Sequence, residues 1–146
     1  MPMKRSTHWA TRELNQHIIS RAKAPHVYGS NDCCTFAADG IKAMTGVDIA
    51  EDFRGYTTEA GALKAIKKVA GGSTVEDAAS YCAKKYELTE LKFPLMAQRG
   101  DLVLIEEADG LKMGLIHLSG ACAVVPGETE LRRVALTAIK RAWRIG

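Results

Sequence analysis

The chain has 146 residues, which suits a single compact domain, and residues 1–146 read as one unit. Its 47% hydrophobic and 25% charged residues exclude a disordered or fibrous chain, and no apolar run nears the roughly 20 residues that span a bilayer. A net charge of +3 without an interleaved aromatic-and-basic motif argues against a nucleic-acid partner.

Lys4 and Arg5 are followed by no apolar stretch, so no secretory signal peptide is expected. The first predicted element is an amphipathic helix over Trp9 to Ala22, with Trp9, Leu14, Ile18 and Ile19 on its packing side. Pro25 and Gly29 break the chain after it. Asp32 then caps a second helix from Cys33 to about Thr45, closed by Gly46. Thr58 caps a third helix to about Val69, and Gly71-Gly72 ends it. Ser73 with Glu76 fits a capping box for a fourth, running to about Tyr86.

Beyond Gly100 the pattern changes to short apolar runs between turn residues. Leu102 to Ile105, Met113 to Leu118, Ala121 to Val125, Arg133 to Leu136 and Ala142 to Ile145 read as strands of an antiparallel sheet. Asp109-Gly110 is the hairpin signal between the first two, and Pro126-Gly127 marks a later turn. Helices first and strands second define an α+β fold, with the helix that starts at Cys33 packed centrally on the sheet.

The four cysteines, Cys33, Cys34, Cys82 and Cys122, form no CxxC pair and no Cys/His ligand spacing. No metal site and no cofactor is expected. Vicinal Cys33 and Cys34 rarely bond each other, so free thiols are the expected state. A thiol in the first turn of a helix meets unpaired N–H groups and the positive dipole end, which favour thiolate. On pattern alone Cys33 has the placement of a nucleophile and equally reads as a buried core thiol, while Cys34, Cys82 and Cys122 read as small packing residues.

The stretch Tyr28-Gly29 … Asp32-Cys33 … Phe36, followed by Gly100-Asp101-Leu102-Val103 and Gly114-Leu115-Ile116, resembles the NlpC family of papain-like cysteine peptidases. Thr45-Gly46-Val47-Asp48, Phe53-Arg54-Gly55 and Ala142-Trp143-Arg144 resemble a phage-borne branch found among tail proteins. The resemblance implies a Cys33 nucleophile acting on amide bonds of peptidoglycan stem peptides, with Asp32, Tyr28 and His26 lining the binding site. It also implies other phage tail proteins as alternative partners. The protein would then be made in the host cytoplasm and carried on the virion tail.

One departure stands out. The position where the family has its general-base histidine is Lys112, whose ammonium is a poor proton acceptor. The residue that would orient that histidine falls near Ala123 to Val125, where nothing polar is present. His117 is the first candidate to replace the base, although strand alternation puts it on the opposite face to Lys112 and roughly 17 Å away. His26, just before Tyr28-Gly29, is the second. Two expectations follow: a hydrolase using Cys33 and His117, or a catalytically degenerate fold serving tail assembly or cell-wall binding.

Overall fold

The computed structural model describes residues 3–146. Four helices occupy the N-terminal half: α1 (Asn15–Arg21), α2 (Cys33–Thr45), α3 (Glu59–Ala70) and α4 (Val75–Lys85). Six strands follow: β1 (Thr89–Glu90), β2 (Leu102–Glu107), β3 (Gly110–Ile116), β4 (Ala123–Pro126), β5 (Leu131–Val134) and β6 (Ile139–Arg144). They form one open antiparallel sheet in the order β1-β6-β2-β3-β4-β5. The fold is α+β. Among the described residues no helix is long and apolar enough to cross a membrane.

Alternation along the strands sorts the core into two faces. Leu102, Leu104, Met113, Leu115 and Val124 pack with Phe36, Ala37, Ile41 and Met44 of α2. Val103, Ile105, Ile116, Val125 and Ala142 point the other way, where Ala97, Leu136 and Ala138 close over them. Helix α2 is thus the central helix, as expected, and its dry side lies on β3.

Local signals define α2 well. Asp32 accepts a hydrogen bond from the Thr35 N–H, Thr35 returns one to the Asp32 N–H, and Gly46 ends the helix at φ +81°. Thr58 caps α3 through the Gly61 N–H. The β2–β3 hairpin turns through Ala108 and Asp109, with Glu107 paired to Gly110.

Three expectations need correction. The first helix begins as a π-helix over Trp9–Leu14 before α1. This wider winding lines up Ala10, Leu14 and Ile18 toward the core and leaves Ile19 64% exposed. Helix α4 is capped by Thr74 with Asp77, one residue later than the Ser73–Glu76 reading. Glu76 is instead drawn to Lys140 and Arg141 on β6, a contact between segments 64 and 65 residues apart. Strand β4 starts two residues later than expected, and β5 and β6 start two and three residues earlier, because Pro126 pairs with Leu131 across the β4–β5 turn and Leu136–Ala138 forms a 3-10 turn. Strand β1, only two residues long on the sheet edge, has no sequence signal.

Gly100-Asp101, the start of β2, has a structural role. Asp101 is fully buried and accepts from Arg5 (3.0 Å), Arg144 (2.9 Å), and the N–H groups of Gln98 and Ile145. One carboxylate thereby joins the N-terminal arm, the β2 entry and the end of β6.

Candidate active site

A cleft of about 620 Å³ opens between the head of α2, the β2–β3 hairpin and the α3–α4 pair. His26, Tyr28, Asp32, Cys33 and Lys112 all line it. His117 does not.

Cys33 is the first residue of α2, and its sulfur meets a neighbouring thiol. The Cys34 thiol lies 3.9 Å from it, and the backbone at Met113 and Cys34 also favours its thiolate. The Cys34 hydrogen bond is the largest influence lowering the Cys33 pKa. Burial and the Asp32 charge oppose it, and the net direction is below the ordinary thiol value. Cys34 moves the opposite way, pushed well up by donating to Cys33 and by burial. The two sulfurs are in contact, and either thiol can donate to the other. Burial lifts Cys82 to about 12, as befits a packing residue. All four cysteines are free thiols.

The cap of α2 is held from three sides. Besides Thr35, Asp32 accepts from the Gly29 N–H (2.8 Å) and the Tyr56 hydroxyl (2.7 Å). Gly29 has φ +89°, and a Cβ there would collide with the Tyr56 carbonyl. The Tyr28-Gly29 step therefore requires glycine, because the chain passes against the loop ahead of α3 in a left-handed conformation. Burial, Asp32 and the two cysteines raise the Tyr56 pKa, so its phenol stays protonated as a donor. Burial, then Glu59, raises that of Tyr28.

Lys112 is held by carboxylates. Its Nζ lies 2.6 Å from Asp109 and 3.2 Å from Glu107. Burial works against its charge, but those two partners outweigh it and keep the pKa above the ordinary lysine value. It is a fixed cation and cannot accept a proton at neutral pH.

His117 follows the last residue of β3, and its Nδ1 accepts from the Ser119 N–H at 3.0 Å. It lies four residues beyond Met113, which lines the cleft with Cys33, so about 13 Å separates His117 from Met113 along the chain. His117 is not among the residues that line the cleft. His26 is the histidine that the cleft does contain among the described residues. Its N–H donates to the Gly127 carbonyl, and its ring meets Tyr28 edge-on at 4.6 Å. The β4–β5 turn thus fixes His26 at the cleft beside Tyr28. No group of three or more candidate metal ligands occurs among the described residues.

Tyr56, Glu59 and the donor role of Cys34 escaped the sequence reading. Only the vicinal cysteine pair carried a signal, since residues in one helical turn share a neighbourhood. The geometry defines a class: an α+β protein with a cysteine at a capped helix N-terminus inside a cleft. The chain belongs to the family described as Domain of unknown function (DUF6950), which matches residues 4–145. Neither a curated protein nor a solved structure matches it.

Proposed function

We propose that this protein is an NlpC-like cysteine hydrolase carried on a phage or prophage tail, cleaving peptide amide bonds of peptidoglycan. The observation that carries the reading is the Cys33 sulfur, set at the capped head of α2 inside the cleft with the Cys34 thiol 3.9 Å away. In the reaction the thiolate attacks the amide carbonyl, and the same head of α2 offers N–H groups to the oxyanion. The C–N bond then breaks, with His26 passing a proton to the leaving amine. Water hydrolyses the thioester, releasing the carboxylate and the Cys33 thiol. Loss of muropeptide cleavage in folded Cys33→Ala supports this reading, and unchanged cleavage overturns it.

Lys112, clamped by Asp109 and Glu107 where the resemblance calls for histidine, favours a second reading. In it the fold is a catalytically degenerate module for tail assembly or wall binding. A stable complex with a tail protein or peptidoglycan, insensitive to Cys33→Ala and without hydrolysis, would establish it. Hydrolysis gained on Lys112→His would show that the remainder of the site is competent.

A further inference from the structure

The cleft has two kinds of lining. Cys33, His26 and Tyr28 line it at the head of α2 and the segment before it, and apolar residues of α2, α3 and α4 form a chamber within it. The chamber exists because alanine stands at six lining positions, Ala37, Ala38, Ala50, Ala62, Ala78 and Ala79, where leucine or isoleucine would fill the space. Phe53, Ile66 and Met113 complete its walls. On α4 the lining residues run from Val75 to Cys82, about 10 Å of helix.

The cations around the cleft are already matched. Among the described residues they are Arg54 and Lys112. Arg54 binds Asp39 and Asp48, each at 2.7 Å, and Lys112 binds Asp109 and Glu107. Asp32 is committed to Thr35, Gly29 and Tyr56. An anionic substituent entering the chamber would lose its water and find both cations already paired. An aliphatic chain loses nothing there and gains burial.

We infer that the chamber is an acyl subsite, taking an uncharged aliphatic chain on the carbonyl side of the bond that Cys33 attacks. This rests on Cys33 being the nucleophile and narrows its substrates. Peptides with an aliphatic residue on that side fit, and longer straight acyl chains fit better.

The test uses 4-nitrophenyl esters from acetate to decanoate. Cys33 thiolate displaces 4-nitrophenolate, and water returns the acid and the thiol. The expected result is a kcat/KM that rises about three- to fourfold per added methylene until the chamber is full. Ala79→Phe, which occupies that space, should flatten the series. A flat series in wild type, with turnover lost on Cys33→Ala, overturns the subsite and leaves the nucleophile standing. If wild type turns over no ester, the enzyme reading fails, and calorimetric titration of decanoate into Cys33→Ala decides the chamber by itself. Saturable one-to-one binding that weakens in Ala79→Phe supports it, and no binding overturns it.

Discussion

Tyr56 donates its hydroxyl to Asp32 Oδ2 at 2.7 Å, tying the loop ahead of α3 to the cap of the helix that carries Cys33. The carboxylate that starts α2 is therefore also the anchor of the cleft wall. Tyr56→Phe removes one charge-assisted bond and leaves Asp32 its two backbone partners. The expected cost is about 1.5 kcal/mol by urea unfolding. A loss below about 0.5 kcal/mol would mean that water takes the place of the phenol.

The same carboxylate sets the Cys33 thiol. Its negative charge disfavours the thiolate, so removing that charge should lower the Cys33 pKa. Asp32→Asn keeps an oxygen for the Thr35 N–H, and the pH profile of Cys33 alkylation should move to lower pH. Cys34→Ala removes the donor thiol and should move it to higher pH. Both profiles are read with Cys82 and Cys122 replaced by serine. Unmoved profiles in both variants would refute the electrostatic account.

His26 is the cleft histidine, and His117 lies outside it. His26→Ala should lower kcat of peptide or ester hydrolysis by about 10²- to 10⁴-fold with little change in KM. His117→Ala should leave kcat within about twofold. The reverse pattern would restore His117 to the base role.

His17 carries the pH dependence of stability. It is buried, and its Nε2 donates to the Phe36 carbonyl at 2.9 Å. Burial, with help from Arg21, drops its pKa to about 4 from the ordinary 6.5. The neutral ring is the one the fold accepts, so the unfolded chain binds the extra proton first as pH falls. Its contribution is complete above about 6.5 and is lost progressively toward pH 4, on the order of 3 kcal/mol in all. His17→Gln, which can still donate to Phe36, should flatten the stability curve across that window. An equally steep curve in the variant would assign the loss to other groups.

Asp101 is the fully buried carboxylate between Arg5 and Arg144. Asp101→Ala leaves two guanidinium groups and two backbone N–H groups without their acceptor. The expected destabilisation is about 3–5 kcal/mol, a fall in Tm on the order of 10 °C. A smaller fall would show that both arginines reach solvent.

Local signals were legible. The Asp32 cap, the Gly46 stop, the Thr58 cap and the Asp109-Gly110 hairpin each depend on residues within four positions of one another, so the chain writes them directly. The α4 start was not legible, because two overlapping capping boxes were available and Glu76 was claimed by Lys140 and Arg141 on β6. The late strand boundaries depended in the same way on which residues paired across the Pro126 turn.

For the site, sequence by itself determined that Cys33 opens a capped helix, since cap, thiol and helix stop are contiguous. Only the tertiary structure decided that His26 shares the cleft with Cys33, that Lys112 is neutralised by Asp109 and Glu107, and that Tyr56 holds the cap. The apolar chamber was decided there too. Those relationships depend on how the faces of α2, α3, α4 and β3 come together, and packing across the core leaves no periodic trace along the chain.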